Sequence, residues 1–383
     1  MTRMTVLARW SRIVLAGGLG LAVLVAAIDA SARPANNNPS NALAQRSLAK
    51  LYASTYRPPP TKATVPPKGI SVFFIGAGLA APGVSEPASA LAEAGHRLGW
   101  KVVAVDGKFA PNTMLNGVNQ AVAAGADAIV LHSIDCPTVR SGLIKARKAG
   151  IPVITVQSVD CNEGGNTGER LFTAEVSYRE GSFLTWNSKY GAAQGTWLAA
   201  KAPQGEGKLI EFVETDVLST KLSAEGFERT YNALCPSCKI VARIPFVGAD
   251  YGKLQQKATT ALLAHPEANQ FYANHDAAVT AGIAAAVVGS HRNIQVMGGP
   301  GNVANATLVR NHRGQSAGVG LAVRWEGFAA ADAIIRVLNK KPVLSSGIGL
   351  QVYDAQHNLP PPGKAFGAPI DFRKAYYKTW GVG

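Results

Sequence analysis

Three groups of residues in this 383-residue chain have types and spacings that could do chemistry. The first is cysteine. Cys235 and Cys238 flank a Pro-Ser in "ALCPSCKIV", and the other two cysteines are Cys136 and Cys161. A C-x-x-C pair can be a redox centre, half of a zinc site or a local staple. The second is "GAGLAA" (76–81), a G-x-G-x-x-A stretch after an apolar run, with Asp106 placed where a ribose-binding acid would lie. The third is the adjacent pair His275-Asp276, which could exchange a proton, together with Lys221, which could act as an amine nucleophile. No G-x-S-x-G, H-E-x-x-H or Walker A sequence occurs, and the seven histidines lack metal-ligand spacing.

Each signal also has a plainer reading. A reactive C-x-x-C needs its first cysteine at a helix N-terminus. Here the pair follows the end of the helical stretch "AEGFERTYNAL", so Cys235 and Cys238 are expected to form a small staple. Cys136 and Cys161 each lie three residues past an apolar strand, in "HSIDC" and "QSVDC". If those strands are neighbours, a disulfide bracing two loops is expected in an oxidising compartment; the alternative is two buried thiols. A dinucleotide site needs a helix N-terminus at its glycines, and Pro82, Gly83 and Pro87 read as interrupting that helix. A nucleotide-dependent oxidoreductase is therefore only an alternative. Asp276 near the start of a helix complements the helix dipole. Of the aromatics Tyr178, Phe183, Trp186, Tyr190 and Trp197, most are expected to pack rather than line a site.

The elements that must position these residues alternate. "GISVFFIG", "KVVAVD", "ADAIVLHS" and "IPVITVQS" read as buried parallel strands, separated by the amphipathic stretches 86–100, 111–125 and "TVRSGLIKARKAG". The alternation restarts with "GKLIEFV", "KIVARIPF", "NQFYANHD" and "NIQVMGG", and ends in "SAGVGLAV" and the helix 325–341. This predicts an α/β fold of two doubly wound lobes. Residues 1–32 have the order of a cleaved secretory signal: Arg3, Arg9 and Arg12, the apolar run 13–28, then Ala30-Ser31-Ala32. No cysteine lies at the cleavage region, so a lipid anchor is not indicated. Residues 33–67, rich in Asn and Pro, read as a linker. Half of the net charge of +14 falls in residues 1–67, and no basic run carries interleaved aromatics, so nucleic acid is not expected as a partner.

The stretches "GADAIVLHSIDCPTV…AGIPVITVQS" and "LLAHPEANQFYANHDAAVTAGIAAA" resemble the type I periplasmic solute-binding proteins, the ribose-binding-like group. The resemblance spans about residues 69–343. It implies two lobes joined by crossover strands, 68–176 with 322–343 in the first and 177–321 with 344–383 in the second. It also implies a cleft closing on a small molecule, an ABC permease in the inner membrane as partner, a monomer, and no catalytic residue, metal or cofactor. A ligand sensor docking on a chemoreceptor or sensor kinase is the alternative within this class.

Carried over residue by residue, Gln157 and Ser158 stand where sugar-binding members usually have Asp-Arg. Lys221 falls near their second-lobe arginine, His275 replaces an Asn before Asp276, and Gly299-Pro300 replaces Phe-Asp. Leu321 falls near a glutamine, and Tyr178 takes a crossover Asn position. Pro82 and Asp250, in the strand-end loops "GAGLAAPG" and "FVGADY", complete the expected lining. The loss of hydroxyl-reading groups points to a less polar ligand than a pentose or hexose, or to an acidic one meeting Lys221 and His275.

Overall fold

Apolar runs that alternate with amphipathic helices bury both faces of a parallel sheet. The computed structural model describes residues 39–383 and contains two such sheets. The signal segment 1–32 and the first residues of the expected linker lie outside the described residues.

The first sheet has the order β2-β1-β3-β4-β5 and is parallel throughout. Its strands are β1 (Ser71–Gly76), β2 (Lys101–Asp106), β3 (Ala128–His132), β4 (Val153–Val156) and β5 (Ala174–Glu175). Helix α1 (Pro39–Tyr52) precedes them, and α2 (Pro82–Leu98), α3 (Pro111–Ala123) and α4 (Cys136–Lys148) connect them. Alternation along the strands divides the core. Phe74, Val130 and Ile154 join one cluster, while Ile75, Leu131 and Val153 join another with the α3 and α4 residues Val118 and Leu143.

The second sheet has the order β11-β10-β9-β8-β6-β7, parallel except for the edge strand β11. It comprises β6 (Lys208–Glu214), β7 (Lys239–Phe246), β8 (Gln270–Ala273), β9 (Gln295–Gly298), β10 (Ala317–Gly320) and β11 (Gln351–Asp354). Helices α5 (Phe183–Ala200) and α6 (Leu218–Leu234) pack with their backbones in contact. A side chain on Gly191 would collide with the Ser223 carbonyl, and one on Gly226 with that of Ser188. Helix α7 (Leu254–Ala264) follows β7. Helix α8 (Asp276–Ala278) passes through a π turn into α9 (Ala284–Gly289), and α10 (Val303–Arg310) follows β9. Helix α11 (Val323–Leu338) then returns to the first lobe, packing on α2 where Gly327 meets the Pro87 backbone.

The chain crosses between lobes near residues 177–182, 321–323 and 339–350. These crossings are laced together: Arg179 N donates to Ile348 O at 2.8 Å and Ser346 N to Ser177 O at 2.7 Å. The termini add to them. Within the expected linker, α1 lies on the second lobe through buried Ala44 and Leu48, four residues apart on one helical face. Thr55 N and Arg57 N then donate to Leu350 O and Gly347 O, both at 2.9 Å, and the Tyr56 hydroxyl accepts from Ala322 N at 2.9 Å. Farther on, Thr379 Oγ1 donates to Pro60 O at 2.8 Å and Trp100 Nε1 to Pro67 O at 2.6 Å, which fixes the segment to the first lobe. So residues 39–67 are a strap over both lobes. The tail also divides: β11 belongs to the second sheet, but α12 (Phe372–Trp380) stacks on Trp325 and Phe328 of α11 in the first lobe. Among the described residues no helix is long and apolar enough to cross a membrane.

Candidate functional site

Parallel strands direct their carboxyl ends to one edge of each sheet, and ligands of such folds bind there. In the first lobe these ends are unusual. Lys108 and Phe109 after β2, Ser133 after β3 and Gln157 after β4 all have φ between +51 and +56°. Left-handed non-glycine backbone persists only where surrounding structure enforces it, and it gathers at functional sites.

One enforcing group is Glu326, in the first turn of α11 and fully buried. Gln157 Nε2 donates to both of its oxygens at 2.9 and 3.0 Å, and the Tyr178 hydroxyl donates to Oε1 at 2.8 Å. A carboxylate only accepts, so the Gln157 amide must turn its NH₂ inward and keep Oε1 as its remaining acceptor. His132 Nε2, also fully buried, stops 3.5 Å from Glu326 and makes no hydrogen bond among the described residues.

The second lobe carries a matching group at the end of β6. Glu214 Oε2 lies 2.8 Å from His275 Nε2 and 3.3 Å from the Tyr251 hydroxyl. His275 Nδ1 accepts from Ala278 N at 3.4 Å, so the ring proton is on Nε2 and His275 donates to Glu214. The same carboxylate, with burial as the larger cause, pushes the Tyr251 hydroxyl far above its ordinary range.

The loops bearing these groups meet. A β-carbon on Gly164, in the loop that follows Gln157, would come 2.5 Å from Leu218 Cδ2, four residues past Glu214. Three exposed apolar side chains stand at the same strand ends: Phe109 (60 %), Val217 (37 %) and Val247 (37 %).

A family model for the periplasmic binding protein domain matches residues 72–342. The chain belongs to the periplasmic binding protein family. No curated protein matches its sequence. Among solved structures it is similar to the binding component of an arabinose ABC transporter from Shewanella sp. ANA-3, bound to α- and β-L-arabinofuranose. That match has 20 % identity over 75 % of this chain and 92 % of the other, with TM-score 0.62. It is similar to a 5-methylthioribose transporter solute-binding protein from Thermotoga lettingae TMO, bound to 5-methylthioribose (15 %; 76 % and 88 %; TM-score 0.62). It is also similar to a XylFII–LytSN complex (16 %; 76 % and 100 %; TM-score 0.60). These likenesses agree with the expected two-lobed α/β fold.

In this periplasmic binding protein the expected site residues separate into three sets. Gln157, Tyr178 and His275 belong to the two carboxylate networks. Lys221 is exposed near the start of α6 and, among the described residues, pairs with no acid. Pro300 is half-buried at the end of β9, and Leu321, buried, donates its N–H to the Pro300 carbonyl at 3.2 Å. The others are used internally. Ser158 Oγ accepts from Ile134 N at 3.1 Å and donates to Val156 O at 3.1 Å. Asp250 accepts from Val247 N at 3.3 Å and pairs with Lys257 at 3.0 Å, whose ammonium holds the carboxyl below its usual range. Asp276 is buried and accepts from Gly299 N, Gly301 N and Asn302 N at 2.7–2.9 Å. It clamps the β9–α10 turn and does not pair with His275. Desolvation raises its pKa, against those three bonds.

The helix that follows the glycine stretch 76–81 differs from the expectation. Prolines do not interrupt the following helix: Pro82 is its first residue, where a missing N–H costs nothing, and α2 runs on through Pro87. What closes the loop to a pyrophosphate is protein. The Phe109 ring lies against Gly78, and Asp106 Oδ1 accepts from Leu79 N at 2.8 Å and Lys108 N at 2.9 Å. Both disulfides are present, Cys136–Cys161 across the β3 and β4 loops and Cys235–Cys238 at the far end of the second lobe. The aromatics Tyr178, Phe183, Trp186 and Tyr190 pack against one another in a buried series.

Sequence reading missed Glu326, Glu214 and His132. Two of them end strands, "IVLH" and "EFVE", and that position was the available signal. Glu326 gave none, since it looks like any polar residue in a helical first turn.

Proposed function

We propose that this chain is an exported receptor that captures a small molecule between its lobes by hinge closure and passes it to an ABC-type permease of the inner membrane, without catalysing a reaction. The observation that carries this reading is the pair of polar networks, Glu326–Gln157–Tyr178 and Glu214–His275–Tyr251, each built on a buried carboxylate, with Gln157, His275 and Tyr251 half-buried, at the strand ends of two lobes whose loops touch. Closure around a ligand excludes water and strengthens such contacts. The order of charged, apolar and small residues in 1–32 supports export with cleavage after Ala32.

Of the two ligand types expected, the geometry favours the less polar over the acidic. His275 already serves Glu214, and an added carboxylate would face that glutamate. Phe109, Val217 and Val247 offer an apolar rim. The Thermotoga protein's 5-methylthioribose, a half-apolar sugar, is the kind of molecule that fits this division.

The test is mass spectrometry of small molecules released by denaturing protein purified from its own cell envelope. One compound is expected, and its addition protects loops 157–168 and 214–221 from hydrogen exchange. Absence of both compound and protection refutes capture, and micromolar affinity for ribose or glucose by calorimetry refutes the less polar ligand. N-terminal sequencing is expected to begin at Arg33. The likeness to the XylFII–LytSN complex favours one second reading, a sensor that docks on a signalling protein. A permease and ATPase encoded beside this chain would decide for transport.

A further inference from the structure

Among the described residues the buried acids differ in what offsets their charge. Asp276 and Asp160 are held by backbone N–H groups, each carboxylate accepting three of them. Glu211 has the Arg243 guanidinium at 3.2 Å. Glu326 and Glu214 have neither: among the described residues no backbone N–H donates to them and no lysine or arginine lies within 4 Å, and their donors are side chains, Gln157 and Tyr178 at Glu326 with His132 alongside, and His275 and Tyr251 at Glu214. A buried carboxylate without a cation or backbone donors is costly, and a fold that keeps two of them has another use for the charge.

Both stand at strand carboxyl ends, behind loops that meet at Gly164 and Leu218. The groups around them are oriented the same way. Gln157 has spent its NH₂ on Glu326 and retains an acceptor, and His275 has spent its Nε2 proton on Glu214. The cleft therefore offers acceptors and negative charge. An independent sign of an incomplete site is His132, whose Nε2 is fully buried beside Glu326 yet unbonded.

We propose that the captured molecule carries a protonated amine, seated between Glu214 and the Gln157 carbonyl, with the Glu326 carboxylate beneath as the second negative charge. The apolar rim of Phe109, Val217 and Val247 takes the rest of the molecule. This rests on the cleft reading above, and it narrows the ligand to a class opposite in charge to the one expected from Lys221 and His275.

Phenethylamine, 2-phenylethanol and 3-phenylpropanoate share one apolar phenethyl group and differ in an ammonium, a hydroxyl and a carboxylate, so thermal shift with millimolar amounts of each is the test. Phenethylamine is expected to raise the melting temperature and the other two are not. Glu214→Gln is expected to weaken that response about 30-fold or more. A second readout needs no ligand: Glu214→Gln and Glu326→Gln are expected to leave the free protein as stable as the parent or more so, because each removes a buried charge that no lysine or arginine offsets and keeps an oxygen that accepts. The proposal is overturned if phenethylamine gives no shift, if 3-phenylpropanoate gives the larger shift, or if both glutamine variants melt several degrees lower. Capture itself would survive any of these results, since it is judged by the compound released from native protein.

Discussion

A carboxylate's partners decide whether it serves the fold or a ligand. Asp276 serves the fold. Asp276→Asn removes charge from three backbone N–H bonds and is expected to cost about 2 kcal/mol in denaturant unfolding. Glu211 differs again. It is buried in β6 beside Arg243 and Glu228, and burial pushes its carboxyl well above the ordinary 4.5. The folded chain thus keeps a proton that the unfolded chain releases. The stability this group contributes is present at low pH and is lost as pH rises through that window. Urea midpoints across pH 4.5–8 are expected to fall in the parent and to fall less in Glu211→Gln. Equal slopes would mean Glu211 is ionised in the fold. None of these roles is visible in "EFVE" or "NHDA", because a residue's letter does not say whether backbone N–H groups or a guanidinium will surround it.

At the scale of elements, the two disulfides close loops of different length. Their sequence separations are 25 for Cys136–Cys161 and 3 for Cys235–Cys238. Loop-closure entropy then assigns about 3.5 kcal/mol to the first and about 2 kcal/mol to the second. Paired Cys→Ser variants compared in guanidinium should keep that order. The first also fixes the loops on either side of Gln157, so its loss is expected to weaken ligand affinity, while loss of the second is not. Strand and helix positions were legible because their apolar spacing is set by local geometry. The pairing of Cys136 with Cys161 needed the further fact that β3 and β4 are neighbours.

For the whole molecule, the strap 39–67 is expected to limit how far the lobes open. It is held on the second lobe by α1, on the crossings by Thr55, Tyr56 and Arg57, and on the first lobe beyond Pro60. Gly347 lets Arg57 approach: its φ is +81°, and a β-carbon there would strike the Arg57 carbonyl. Gly347→Ala is therefore expected to loosen the strap. Solution scattering should show a larger radius of gyration for the unliganded variant than for the parent. An unchanged radius with unchanged melting would mean the strap does not limit opening.

The sequence by itself determined the two-lobed α/β plan, the export signal expected in residues 1–32 and the cysteines available for pairing. These follow from periodicity, short-range composition and residue count. Tertiary structure decided the rest. It turned a proline-rich linker into a strap, divided the tail between lobes and put Glu326 under Gln157, 169 residues away in sequence. It also gave His275 to Glu214 and Asp276 to a turn. The physical reason is that burial and hydrogen-bond partners are properties of distant segments brought together, and a local pattern carries no record of which segment will arrive.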